Sequence, residues 1–423
     1  MLRAAGALGA PFVPSRQPPA TPARILVVRP DHLGDALFTT PALRALRQAF
    51  PGAEIVCLVG PWASAVYGRL PHVERLIECE CPGFAPQPKP SPWQPYGLLL
   101  RTAAELRRQR FAVALNLRFD FWWGALLSFA AAVPTRVGYG VPECAPFLTV
   151  AAAYARGHHE VVQNLALVAH LVACAEGERE RWLKAQLAAA RLEFPLQPAE
   201  RQAAADFLRE VGSGATAPAV AIHPGTRGRA KLWTAEGWAA VADALAQRLG
   251  AVVLLTGTAA EEGLCLAVQQ RMRRRAVVLA GRTTLGELVA LFERCALVLG
   301  VDSGPLHLAT AAGTPTVHLY GPSDHVAFGP FGDPARHAVV RAGVYCSPCH
   351  KFDWPLDAPH EHDCMRAISP AMVLEAAEGV LQSGAAERTC GCAPVERGGA
   401  VGTDPAVPSP AQEWLREEDG RER

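Results

Sequence analysis

The chain of 423 residues contains no run of the roughly 18 to 20 consecutive apolar residues that a membrane-spanning helix needs. Its most apolar stretch, Phe121 to Val133, is shorter and reads as a core helix. No Gly-x-Gly-x-x-Gly follows a strand-like run, which argues against a nicotinamide or flavin site, and the Gly-then-Lys-Ser/Thr spacing of a Walker loop is missing too. No Asp-x-Asp pair offers a divalent ion a place between carboxylate and phosphate, so no metal or other cofactor is expected. A formal net charge of +1 gives no general field for polyanions, and nucleic acid is not an expected partner. Residues 1–23, rich in Pro and Ala, lack a continuous apolar core ahead of a cleavage site. They read as a disordered leader rather than a signal peptide, and a cytoplasmic location is expected.

What is present is a hydrophobic half of the composition, enough for two ordinary domains with sizeable cores. The twelve cysteines are mostly scattered through apolar segments, as at Cys57, Cys174, Cys265 and Cys295, where they act as small hydrophobes. Arg24 to Arg29 reads as a strand, Pro30 to Asp35 as a loop and Ala36 to Phe50 as a helix containing Pro41. Glu54 to Val59 and Phe111 to Leu117 read as further strands, and Leu98 to Arg110 as a helix. The pattern breaks near Arg191 to Pro198, then a second series of strands and helices runs from Val220 to Val301, and a last helix covers Ser369 to Leu381. Strands alternating with helices imply parallel pairing. The expected architecture is α/β, with a Rossmann-like domain over 24–195, a second over 196–382, a cleft between the two, and a disordered tail over 383–423.

Several loops at the carboxyl ends of these strands carry chemistry. Asp35, after Gly34, suits either a general base or an N-cap aspartate. His223 to Trp233 combines Gly225, Thr226, Arg227, Arg229 and Lys231, a set suited to a diphosphate and also to an ordinary solvated basic loop. Glu261 is placed to accept from a ribose hydroxyl or to sit at a helix N-terminus. Asp302-Ser303-Gly304-Pro305-Leu306-His307 joins a strand to a short helix whose N-terminus attracts anions, with Asp302 shaping the turn or capping the helix. Cys346, Cys349, His350, His360, His362 and Cys364 fit a zinc set incompletely, and a reduced or disulfide-clipped loop is the simpler reading. Arg101, Arg107, Arg108 and Arg110 make either a solvated helix face or a surface for an anionic lipid.

Taken together, Arg29 with Gly34-Asp35 and Pro41-Ala42-Leu43, Asn116-Leu117-Arg118, Arg136-Val137-Gly138-Tyr139, His223-Pro224-Gly225 with Lys231 and Trp233, and Asp302 to Ala309 resemble glycosyltransferase family 9, the bacterial heptosyltransferases of lipopolysaccharide core assembly. The resemblance runs from about Arg24 to Leu381 and implies a GT-B fold. It implies inverting, metal-independent transfer of a sugar, typically from ADP-heptose, to a lipid-linked glycan acceptor, with peripheral contact to the inner membrane left open by the basic helix. By the same likeness Asp35 matches the catalytic base and Arg29 a nearby cation counted with the donor contacts. Thr226 and Lys231 match diphosphate contacts, Glu261 the ribose glutamate, and Asp302, Ser303, Gly304, Pro305, Leu306 and His307 the donor-binding turn. Asn116 stands where the family often has Asp, and the Pro-rich stretch at 82–95 has no counterpart. Two rival expectations remain on the same scaffold: a nucleotide-sugar epimerase or hydrolase, and a non-catalytic nucleotide-sugar-binding protein.

Overall fold

The computed structural model describes residues 13–84, 91, 93–214, 217–353 and 363–389. The chain divides into two compact units that part between Glu193 and Phe194. The first strand of each is central in its sheet and buried on both faces, which is why it reads as a nearly continuous apolar run.

In the first unit that strand is Arg24–Arg29 (β1), followed by a helix, Leu33–Ala49 (α1). Pro41 lies inside α1, where it cannot donate to the Leu37 carbonyl. The Thr40 hydroxyl donates to that carbonyl instead, at 2.8 Å, so the helix continues without an orphaned acceptor. Then come Glu54–Val59 (β2), Arg75–Glu78 (β3), Gln94–Gln109 (α2), Val113–Asn116 (β4), Trp122–Ala130 (α3), Thr135–Tyr139 (β5), Val150–Ala152 (β6), Glu160–Val172 (α4) and Glu176–Ala188 (α5). The six strands form one sheet in the order β3-β2-β1-β4-β5-β6, every pair parallel.

The second unit opens with Pro198–Glu210 (α6), whose Gln197 and Glu200 form a capping box. It continues with Ala219–His223 (β7), Ala235–Leu249 (α7), Val252–Leu255 (β8), Glu262–Arg271 (α8), Ala276–Val278 (β9), Leu285–Arg294 (α9), Leu297–Val301 (β10), Gly304–Ala311 (α10), Thr316–Leu319 (β11), His337–Val340 (β12) and Pro370–Thr389 (α11). Its sheet runs β12-β11-β10-β7-β8-β9, again all parallel. Counted from its own first strand, this is the same order as in the first unit. Each sheet therefore has one switch point where the strand order reverses, between β1 and β4 and between β7 and β10.

Helix α11 runs on to Thr389, so residues 383–389 are helical where a tail was expected. Residues 1–12 of the expected leader, 390–423 of the tail and 85–90 of the Pro-rich stretch lie outside the described residues. No helix among the described residues is long and apolar enough to cross a membrane.

Candidate functional site

At the first switch point β1 ends on Arg29, whose side chain is only 2% exposed. A buried guanidinium requires compensating charge, and three carboxylates supply it. Its Nε lies 2.7 Å from Asp31 Oδ2, its Nη1 donates to Glu160 Oε1 at 2.7 Å and to Asn164 Oδ1 at 3.2 Å, and its Nη2 reaches Asp35 Oδ1 at 3.4 Å. Arg118 adds a second cation by donating from Nη1 to Asp31 Oδ1 and from Nε to Asp120 Oδ1, the latter at 2.6 Å. The loop that carries Asp31 is fixed by Trp62, whose indole N–H donates to the Pro30 and Asp31 carbonyls at 3.1 and 2.8 Å.

Asp35 does not cap α1. His32 holds the N-cap position, and Asp35 is the third helical residue. Three carboxylates, Asp31, Asp35 and Glu160, thus share the guanidiniums of Arg29 and Arg118, and Asp35 has the longest of these contacts and a side chain 25% exposed. Burial, and after it the Asp31 carboxylate, push the Asp35 carboxyl up to about 7, against the opposing pull of Arg29. Beside this group, at the carboxyl end of β4, the buried Asn116 amide has no hydrogen-bond partner for either its oxygen or its nitrogen.

The second switch point has a different population. Lys231, in a single 3₁₀ turn after β7, places Nζ 2.7 Å from Asp302 Oδ2 and 4.9 Å from the Phe352 ring centroid. Arg227 and Arg229 of the same loop are exposed, so of its three cations Lys231 is the one turned to Asp302. Thr226 Oγ1 donates to the Asp302 carbonyl at 3.1 Å. Burial alone would raise the Asp302 carboxyl, but Lys231 and His307 outweigh it and hold it well below the usual carboxylate range. His307 Nε2 is 3.7 Å from Asp302 Oδ1.

Asp302 therefore does not cap α10. The N-cap is Ser303, extended, with no side-chain capping bond and a buried hydroxyl that has no partner. Pro305 has no N–H and the Leu306 N–H is taken by the Ser303 carbonyl at 3.1 Å, which narrows the expected row of amide donors to Ser303 and Gly304. The Leu306 and His307 side chains are buried, Leu306 within an apolar cluster of the second unit. Arg29 is engaged by Asp31, Asp35, Glu160 and Asn164.

Glu261 takes the helix-terminal reading, its Oε2 accepting from the Thr258 N–H and hydroxyl at 2.8 and 2.9 Å in a capping box. Its other oxygen presses on Gly225, where a Cβ would fall 2.2 Å from Oε1. A comparable constraint holds at Gly300, whose Cβ would stand 2.5 Å from the His223 carbonyl of the neighbouring strand. His223 is kept neutral by burial, which lowers it to about 4, and its Nδ1 pairs with Thr256 Oγ1 at 3.0 Å.

Cys346, Cys349 and Cys364 are free thiols, and among the described residues no three His, Cys, Asp or Glu side chains are grouped to hold a metal. His360 and His362 lie outside those residues. Burial first, and the Cys349 and Cys346 sulfurs next, push the Cys364 thiol up to about 11. Sequence reasoning did not select Asp31, Glu160 or Arg118 as site residues. Asp31 and Arg118 stand within quoted motifs, but Glu160 meets Arg29 from 131 positions away, and nothing local marks it.

A profile described as glycosyltransferase family 9 (heptosyltransferase) matches residues 99–357, more than half of the chain. Lipopolysaccharide heptosyltransferase 3 of Escherichia coli K12 is 27% identical over 337 residues, covering 74% of this chain and 91% of that protein. Among solved structures, a family 9 glycosyltransferase from Veillonella parvula superposes with a TM-score of 0.67 at 24% identity, over 86% of this chain and 98% of that one. The E. coli ADP-heptose LPS heptosyltransferase II does so with a TM-score of 0.65 at 22% identity, over 86% and 99%. These likenesses extend the GT-B type of α/β fold to this molecule. With two parallel six-stranded sheets of identical order and a charged cluster at each switch point, the chain belongs to glycosyltransferase family 9, the heptosyltransferases.

Proposed function

We propose that the protein transfers heptose from ADP-heptose, with inversion at the anomeric carbon, to a lipid-linked lipopolysaccharide-core acceptor on the cytoplasmic side of a membrane. The heptosyltransferase names of its relatives, one of them naming ADP-heptose, support the substrate class. The observation that carries the mechanism is Asp35: a partly exposed carboxylate at a switch point, with surplus negative charge around it and a carboxyl raised to about 7.

In this reading Asp35 takes the proton from the acceptor hydroxyl as its oxygen attacks the anomeric carbon from the face opposite the nucleotide. The bond from that carbon to the diphosphate oxygen breaks, and the departing diphosphate collects negative charge. Lys231, the Ser303 and Gly304 amides and the Ser303 hydroxyl stabilise that charge, with the Thr226 hydroxyl holding the Asp302 backbone in place, and they supply without a metal what a divalent ion supplies elsewhere. Fixed donors of this kind need no reorganisation as the charge develops, so they favour the transition state over bound substrate. Oε1 of Glu261, beside Gly225, is assigned to the ribose.

The test is transfer by the purified protein from ADP-heptose to core lipopolysaccharide, with the anomeric configuration of the product read by NMR. Asp35→Ala is expected to lower kcat by about 10²- to 10⁴-fold, the usual range for loss of a general base. Near wild-type transfer by that variant, or retention of configuration, would sink the reading.

A further inference from the structure

Six large hydrophobic side chains are exposed among the described residues, and three of them, Trp93, Tyr96 and Leu100, fall within two turns at the start of α2. Trp93 is 77% exposed, Tyr96 50% and Leu100 67%, and the rings of Trp93 and Tyr96 lie 6.2 Å apart. At 3.6 residues per turn these positions continue through Ala104 to Arg107 as one outward stripe. A neighbouring stripe, Leu99, Thr102, Ala103 and Leu106, is buried, with Leu99, Ala103 and Leu106 packed into the core of the first unit.

The helix is also pinned at both ends. The Trp123 indole N–H donates to the Pro95 carbonyl at 3.2 Å, and Arg24 Nη1 donates to the Gln109 carbonyl at 2.8 Å. The outward aromatics are therefore held in place on an ordered scaffold. From its middle to its cap the helix carries Arg101, Arg107, Arg108 and Arg110, all exposed, against the single exposed carboxylate Glu105. An aromatic and aliphatic end followed by a cluster of arginines is the composition of a helix that lies in a membrane interface. Rings and Leu enter the headgroup boundary, and guanidiniums meet lipid phosphates.

Topology puts the apolar end on the useful side. Because α2 returns from the carboxyl end of β3 to the amino end of β4, its N-terminus stands at the carboxyl edge of the sheet, the edge that carries Asp35. A continuous line of contacts joins the two places. Asp31 pairs with Arg118, the Arg118 guanidinium sits 5.0 Å over the Phe84 ring, Phe84 is 5.4 Å from Phe121, Phe121 is 5.9 Å from Trp123, and Trp123 holds Pro95.

We infer that the outward face of α2 is a membrane-docking surface for an anionic lipid bilayer, with Trp93, Tyr96 and Leu100 entering the interface and Arg101, Arg107 and Arg108 holding headgroup phosphates. The purpose of this surface, presenting a lipid-linked acceptor to Asp35, rests on the function proposed above. Its existence does not, because vesicle binding needs neither donor nor acceptor.

The experiment is flotation of the full chain with acceptor-free vesicles of phosphatidylcholine alone or with an equal part of phosphatidylglycerol. The wild type is expected to float with the anionic vesicles, less so as salt rises, and to stay dense with the neutral ones. Arg101→Gln/Arg107→Gln/Arg108→Gln should weaken binding roughly a hundredfold, the product of three near-surface basic residues. Trp93→Ser/Tyr96→Ser/Leu100→Ser should weaken it about tenfold or more through lost apolar burial. All six side chains are exposed, so both variants should unfold at the wild-type temperature, and if one does not, the other still decides. The inference is overturned if the wild type fails to float with anionic vesicles, or if either folded variant floats as well as the wild type. It is overturned equally if the protein is a dimer that the serine variant dissociates while no vesicle binding is seen, since a second copy then covers the face.

Discussion

The two switch points share a strand order and differ in what they do to a carboxylate. At the first, Asp31, Asp35 and Glu160 compete for Arg29 and Arg118, and the surplus negative charge falls on Asp35, which is pushed up to about 7. At the second, Asp302 has Lys231 at 2.7 Å and His307 close behind, and it is held well below its ordinary value. The same backbone frame thus raises one carboxyl group and lowers the other. The difference comes from side chains that arrive from elsewhere: Glu160 from the start of α4, and Lys231 from the turn after β7.

The comparison predicts opposite responses to mutation and pH. For stability, the largest effect is expected at the second switch point. Lys231→Met removes the proposed diphosphate donor and should lower kcat by about 10²- to 10³-fold in the transfer assay. It also strands Asp302, at a cost of about 2 kcal/mol to stability near pH 7. Asp302 has a depressed folded value, so its contribution is present above the unfolded carboxylate value, near 4, and disappears as the pH falls through the folded one. The penalty of Lys231→Met, read from chemical denaturation, should therefore shrink towards acid; an equal penalty at pH 7 and pH 3 would contradict the assignment.

Asp35 has the other sign. Its folded value lies above its unfolded one, so the native state binds more protons between about pH 4 and 7 and loses stability as the pH rises through that window. Asp35→Asn, though inactive, should raise stability by about 1 to 2 kcal/mol at pH 8 and by little at pH 4. A destabilised Asn variant at pH 8 would mean that Arg29 needs Asp35 more than Asp35 burdens the cluster. The smallest effect concerns tuning. Glu160→Gln removes a charge that raises Asp35, and the acid limb of the kcat profile should move down by several tenths of a pH unit. No movement would show that Glu160 serves only to hold Arg29.

Much of this frame can be read from the chain itself. Buried central strands such as Ile25 to Val28 and Val298 to Val301 announce themselves as apolar runs ending at small or charged loop residues, and both switch points follow from them. Three of the four edge strands do not: β3, β6 and β12 have three or four residues and exposed or half-buried positions, too short for a periodic signal. Roles that depend on distant partners are hidden as well. Gly34-Asp35 looks the same before a cap as before a base, and only the convergence of Arg29, Asp31 and Glu160 separates the two. The helix α2 was visible, but it has two apolar stripes, and the sequence does not reveal which of them faces the core.

The contact between Gly225 and Glu261 has a consequence for how this protein can change over generations. A Cβ at 225 would stand 2.2 Å from one carboxylate oxygen, so every side chain at that position collides with residue 261 as long as it is a glutamate in its capping pose. Because 261 also holds the Thr258 turn, shortening it first loosens that turn. Neither residue can move alone at no cost, and the route to any other pair passes through a weakened intermediate. In a saturation library the two positions should behave as a single site, with substitutions at 225 surviving only alongside a smaller residue at 261.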